Sequence, residues 1–120
     1  MLAGNGGVIV NVSATTTTQG RPNAANYCST KAGLNMLTKC MALELGPGIR
    51  VNGLGLGFVD SPLVRELYSD EQISDVADTT PLRRMTSNTE TADFIRLLAS
   101  DATAFVTGQT IMFDGGRNMR

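Results

Sequence analysis

Val8-Ile9-Val10-Asn11-Val12 is the stretch that most limits what this chain can fold into. Its apolar residues are β-branched, which favours a strand. They do not alternate with polar ones, so both faces of the strand are expected to be covered, as in the centre of a parallel sheet. Such a sheet needs a long crossover after each strand. The sequence supplies one, a helical pattern from about Asn23 to Leu45. Two apolar stripes run along it, one through Leu34, Leu37, Met41 and Leu45, the other through Ala32, Met36, Cys40 and Leu43. This helix is therefore expected to be covered on two sides.

Gly46-Pro47-Gly48 ends that helix, and Ile49–Leu56 reads as a second strand. Ser61 to Thr80 reads as a polar, helical and mobile insertion. Ser87-Asn88-Thr89-Glu90 has the spacing of a capping box and opens a helix to about Ser100. Gln109–Phe113 reads as a third strand, closed by Asp114-Gly115-Gly116. Strand, helix, strand, helix, strand is the order of an α/β chain with crossover helices. A chain of 120 residues, 42% of them hydrophobic, can bury roughly 65% of its unfolded surface in one core. Yet the first strand begins close to the N-terminus and reads as central. An apolar strand without charge or proline is a poor edge. The chain is expected to be a mononucleotide-type half of a larger, Rossmann-type three-layer sheet, with about three parallel strands.

Charge is nearly balanced, at −1, with no long run of one sign. That argues against nucleic acid and anionic membranes and leaves a small molecule or a protein as the partner. There is no histidine, and the two cysteines, Cys28 and Cys40, fall on one helix about 18 Å apart at 1.5 Å per residue. That is too far for a disulfide and too sparse for a metal site, so no metal is expected. Free thiols, and no apolar leader or membrane span in the sequence, point to the cytoplasm. Gly4-Asn5-Gly6-Gly7 precedes a strand and reads as a turn.

Tyr27 and Lys31 stand four residues apart, on one face of the helix. A phenol ionises near pH 10, and an ammonium beside it favours the phenolate. Such a pair can move a proton to or from a substrate oxygen. On an isolated helix the same spacing is usually a solvated surface pair.

From Gly6 onward the chain resembles the C-terminal half of short-chain dehydrogenase/reductases. The resemblance rests on GGVIVNVS, YCSTKAGLNMLTKCMALELG, GIRVNGLGLGFVDSP, TPLRRM and ATAFVTGQTIMFDGG, in that order. The nearest flavour is the 3-oxoacyl-carrier-protein reductase and the sugar or alcohol dehydrogenases. The resemblance implies an NAD- or NADP-dependent oxidoreductase acting on a carbonyl or alcohol. Tyr27 would be its general acid or base. Lys31 would assist Tyr27 and hydrogen-bond the nicotinamide ribose. Gly57, Val59 and Ser61 would belong to the cofactor site with Tyr27 and Lys31, the Val59 backbone and the Ser61 hydroxyl holding the nicotinamide carboxamide, and the stretch after Ser61 would be the substrate lid. The helix Asn23–Leu45 would pair subunits in a homo-oligomer. Residues 1–120 would be the C-terminal half of the domain, with the dinucleotide-binding N-terminal half absent.

Three departures from the family pattern matter. Ala14 holds the position of the family's catalytic serine, and losing such a donor costs about 10²–10³ in rate. Ser13 or Thr15 to Thr17 are the neighbouring hydroxyls, with Ser13 expected to point to the opposite side. Leu56 replaces a usual proline, which removes a fixed φ. A lesser change beside it, Arg83 where glycine is common, reads as solvent-facing. Last, no glycine-rich turn follows a strand and opens a helix, so the phosphate-binding device is missing. Three readings follow. The chain is the C-terminal fragment of an oxidoreductase, inactive alone. Or it is a truncated, non-catalytic relative that acts as an oligomerising binding module. Or it is a minimal enzyme built by self-association, which fails to explain where a phosphate turn would come from. Neither the substrate nor the choice between NAD and NADP is indicated.

Overall fold

The computed structural model of the protein describes Met1, Gly4 and residues 6–119. The turn expected at Gly4–Gly7 includes Asn5, which lies outside the described residues. The chain runs β1 (Gly7–Ala14), α1 (Thr16–Gln19), α2 (Ala25–Leu45), β2 (Ile49–Leu56), β3 (Val59–Asp60), α3 (Pro62–Leu67), α4 (Asp70–Thr79), β4 (Thr86–Ser87), α5 (Asn88–Ala99), a 3-10 turn at Asp101–Thr103, and β5 (Thr110–Phe113). The alternation of strand and helix is the α/β pattern expected from the sequence.

Three strands form one parallel sheet in the order β1-β2-β5, and β3 pairs with β4 in a small parallel sheet of its own. The β1–β2 register is unbroken from Gly7 opposite Ile49 to Ala14 opposite Leu56. The first strand reads as central to a larger sheet, and among these three strands it takes an edge, as half of such a sheet requires. The central strand is β2, with Val51, Asn52 and Leu54 fully buried, and β1 lies at the edge, with Val12 40% exposed. Among the described residues no strand pairs with the other side of β1. Apolar composition reports what a strand can pack against, and the second neighbour it suits is not among these elements. Gly53 and Gly55 in β2 leave room for the side chains of Thr110 and Met112 on β5, which a Cβ at either position would strike.

Helix α2 starts at Ala25, later than the expected Asn23. Asn23 has φ +58, a left-handed conformation that no helix continues, and asparagine is among the residues that tolerate it. One side of α2 packs on β1 and β2 through Thr38 and Ala42, which are buried, with Met41 and Leu45 against Ile49, Val51 and Ile9. Leu37 is not part of that stripe. It is exposed, as are Met36 and Leu43, so the second apolar side of α2 is open. Thr38 replaces Leu37 at the sheet because its hydroxyl has work there. It donates to Leu34 O (2.8 Å) and accepts from Asn11 Nδ2 (3.0 Å).

The stretch after Ser61 is helical, as expected, but in two pieces, α3 and α4. Each has a serine N-cap, Ser61 and Ser69. The capping box of α5 is present, Ser87 Oγ accepting from Glu90 N while Glu90 accepts from Ser87 N. Arg84 also grips the Glu90 carboxylate, at 2.6 and 2.8 Å. Arg83 is exposed, as expected, but at φ +56, the region glycine occupies at least cost.

Buried polar groups fix the far end of the sheet. Asn52 donates to Val106 O (2.8 Å) and accepts from Gln109 N (3.2 Å), which holds the approach to β5 against β2. Arg50 reaches Leu98 O, Ser100 O and Val106 O and so gathers the end of α5 and the loop beyond it. Replacing Asn52 by alanine leaves two backbone groups without their partner. Asn52→Ala is expected to cost about 3 kcal/mol in urea denaturation, and a loss below about 1 kcal/mol would contradict that role. Acid should weaken the start of α5. Arg84, then the Ser87 N–H, lower the Glu90 carboxyl from its ordinary 4.5 to about 2. A depressed carboxylate stabilises the fold above its unfolded value and loses that contribution as pH falls from about 4.5 towards about 2. An acid titration followed by circular dichroism is expected to lose part of this limb in Glu90→Gln.

Candidate active site

The C-terminal ends of β1 and β2 open onto a cleft of about 430 Å³. Clefts at the carboxyl ends of parallel strands are where open α/β sheets bind ligands. Tyr27 and Lys31 both line it, on the first turns of α2, and so do Gly57 and Val59 just past β2. Four of the five residues expected at the site are thus brought together. Ser61 is not among the lining residues. Its Oγ accepts from Val64 N (3.3 Å) and caps α3, with Pro62 in the first helical turn. That leaves the Ser61 hydroxyl proton uncommitted by this bond.

Lys31 is held at both ends. Its Nζ donates to Val12 O (2.8 Å), and its own carbonyl accepts from Ser13 Oγ (3.2 Å). The ammonium lies 5.9 Å from the centre of the Tyr27 ring, within reach of a cation–π contact. An ammonium carries three protons, so the Val12 bond leaves others for a ligand. Tyr27 is 45% exposed and can meet a substrate from the cleft.

The hydroxyls at the end of β1 and just after it have separate fates. Ser13 is buried and directed to α2, away from the role a substrate donor needs. Thr17 and Thr18 donate to the carbonyls of Ala14 (2.9 Å) and Thr15 (2.8 Å). Ala14 lines the cleft with no donor of its own.

Sequence reasoning missed two aromatic residues and one cation on the rim. Phe58 and Tyr68 meet edge to face, 5.5 Å apart at 81°, and the Arg21 guanidinium lies 5.9 Å over Tyr68. Tyr68 joins α3 to α4, so these contacts hold the α3–α4 segment to the cleft wall. Loop residues such as Arg21 leave no periodic signal, and nothing in the local sequence pairs it with Tyr68. Among the described residues that line the cleft there is no Asp or Glu, so Arg21 and Lys31 give it a positive charge.

The residues present suit one end of a nicotinamide cofactor. Thr86 N donates to Phe58 O (3.2 Å) in the pair that sets Val59 opposite Thr86. In a parallel ladder this turns the N–H and C=O of Val59 away from β4. Gly57 is required by packing, since a Cβ there would stand 2.8 Å from that of Asp114. The phosphate end has no cradle among the described residues. β1 passes through Thr15 into the single turn of α1, and Gly57 leads to β3 and not to a helix.

A family model described as enoyl-(acyl carrier protein) reductase matches residues 1–118. The 3-oxoacyl-(acyl-carrier-protein) reductase of Staphylococcus epidermidis is 39% identical over 120 residues, covering 99% of this chain and 49% of that protein. A short-chain type dehydrogenase/reductase from Mycobacterium ulcerans is similar with a TM-score of 0.93 and 36% identity, over 100% of this chain and 44% of that one. A gluconate 5-dehydrogenase from Burkholderia cenocepacia, solved in complex with NADP and tartrate, has a TM-score of 0.90 and 36% identity, over 99% and 48%. The chain spans about half the length of the curated relatives it matches.

If Ser13 is structural, Ser13→Ala should lower stability by about 1 kcal/mol, the usual worth of one such bond. Denaturation midpoints would check this, and an unchanged midpoint would mean the bond to Lys31 contributes nothing.

Proposed function

The chain belongs to the short-chain dehydrogenase/reductase family, and from that premise we propose that it carries the acid–base half of a hydride-transfer site. On this reading these 120 residues are the C-terminal half of an NAD(P)-dependent oxidoreductase that interconverts a carbonyl and an alcohol. The observation that carries the reading is Lys31, tied to Val12 O and lying beside Tyr27 in the cleft that Gly57 and Val59 also line.

A bound NAD(P)H supplies the hydride. The Tyr27 phenol gives its proton to the carbonyl oxygen, and the phenolate takes it back from the alcohol in the reverse direction. Lys31 keeps a positive charge beside that exchange, and its remaining protons serve a ribose hydroxyl. The backbone of Val59, turned away from β4, would hold the carboxamide, while Ser61 caps α3 outside the cleft lining. The segment α3–α4 covers the substrate and limits water. The cleft's charge favours carbonyl substrates that carry a carboxylate or phosphate.

A second reading rests on the open stripe of α2. Met36, Leu37 and Leu43 are 58%, 50% and 85% exposed, the composition of a face that pairs with another subunit. The chain would then be an oligomerising binding module without catalysis, for which Ala14 is further support.

The 120 residues alone are expected to show no saturable NAD(P)H fluorescence titration in the micromolar range. A saturable titration abolished by Lys31→Ala would overturn that. In the natural gene product, Tyr27→Phe is expected to lower kcat by about 10²–10⁴ with cofactor affinity unchanged. Equal turnover in the two proteins would remove Tyr27 from the chemistry.

A further inference from the structure

We propose that the Thr16 hydroxyl is the second hydrogen-bond donor to the substrate oxygen, beside Tyr27, in the place that Ala14 leaves without one. The proposal rests on the carbonyl–alcohol reading of the cleft.

Thr16 Oγ1 is a buried polar atom without a hydrogen-bond partner. Two other side-chain atoms among the described residues share that state, Asn35 Oδ1 and Thr110 Oγ1, and neither residue lines the cleft. Thr16 does, together with Ala14, Tyr27 and Lys31. An unmet hydroxyl in a folded protein calls for a partner, and here the partner is a ligand in the cleft. The neighbours cannot take the role so readily. Ser13, Thr17 and Thr18 have given their protons to backbone carbonyls. Thr15 stands at the start of α1 and its side chain makes no cap.

The backbone explains the placement. Thr15 N still donates to Leu56 O (3.1 Å), as if the β1–β2 ladder ran one residue on. Thr15 already has helical angles, φ −70 and ψ −20, so the chain turns at once past Ala14. Thr16 therefore stays at the strand end and does not continue away along it.

The chemistry needs two donors. As hydride from the reduced cofactor bonds to the carbonyl carbon, the π pair of C=O moves onto oxygen. One lone pair of that oxygen takes the Tyr27 proton, and the phenol O–H bond breaks. The cofactor is oxidised and the substrate reduced. The other lone pair accepts from Thr16 O–H throughout, and Thr16 keeps its proton. A fixed donor aimed at oxygen that gains charge is an oxyanion-hole element.

The test uses the natural gene product in steady-state turnover of a carbonyl substrate with NAD(P)H. Thr16→Val, which removes the hydroxyl at nearly constant shape, is expected to lower kcat by about 10²–10³ with NAD(P)H affinity unchanged. Thr16→Ser is expected to stay within about ten-fold of the natural protein. Ala14→Ser placed on Thr16→Val should recover most of the loss, which a merely structural role for Thr16 would not allow. Thr16→Val turning over within about three-fold of the natural protein overturns the proposal, as does a loss found in Thr15→Val alone. If Thr16→Val fails to fold, the comparison moves to Ala14→Ser alone. A gain below about ten-fold over the natural protein supports the proposal, and a gain near 10²–10³ overturns it. A natural protein without turnover that gains it through Ala14→Ser overturns the role of Thr16 and keeps the carbonyl–alcohol reading. No turnover in either protein overturns that reading and the proposal with it.

Discussion

The hydrogen bond from the Lys31 ammonium to Val12 O joins the two elements whose meeting makes the cleft. It does not act alone. Asn11 donates to Thr38 on α2, and Ser13 donates to the main chain of Lys31. Asn11 and Ser13 are two apart in a strand and so point to one face, the face that α2 covers. Three consecutive residues of β1 thus hold α2, two by side chains and one by its carbonyl. Bonds of this kind contribute about 1 kcal/mol each, yet together they leave α2 one place along the strand. Tyr27 sits one turn before Lys31, so the same bonds decide where the phenol stands. The β1–β2 register then sets Gly57 and Val59 across from it.

Much of this was legible in the sequence, for physical reasons. A β-branched run, a long helical pattern and a second apolar run fix the crossover, because hydrophobic period and backbone geometry are coupled. The capping box at Ser87 and Glu90 is local chemistry, and it is present as its spacing implied. The Tyr27–Lys31 pair is also local, a matter of four residues on a helix. What could not be read depends on groups distant in sequence. Thr38 looks like a surface residue until Asn11 is brought to it. Asn52 in an apolar strand becomes intelligible only with Val106 and Gln109 beside it. The unmet hydroxyl of Thr16 is a property of the packed chain, and four threonines in a row give no sign of which one it is. The edge position of β1 fits the reading of a half-sheet, since its composition suits two neighbours and these strands give it one.

Two surfaces remain uncovered, the outer edge of β1 and the second stripe of α2. Fully burying a side chain such as Leu or Met is worth roughly 1.5–3 kcal/mol, so Met36, Leu37 and Leu43 together represent stabilisation these elements do not realise. The curated relatives are about twice as long as this chain. A second half beside β1 and a second subunit against α2 would account for both surfaces. The same arrangement would bring the phosphate-binding turn that is not found among the described residues. The two proposed readings differ in what that cover is for, chemistry in one and assembly in the other.

Hydride transfer itself is the most direct test of the account. The natural gene product would be incubated with nicotinamide cofactor deuterated at the transferable position and with carbonyl compounds bearing a carboxylate or phosphate. Mass spectrometry of the alcohols would then locate the label. The account expects deuterium on the carbinol carbon with the natural protein and none above background with Tyr27→Phe. Folded protein that transfers no label to any of the carbonyls, or transfers it equally well without the Tyr27 hydroxyl, would contradict it.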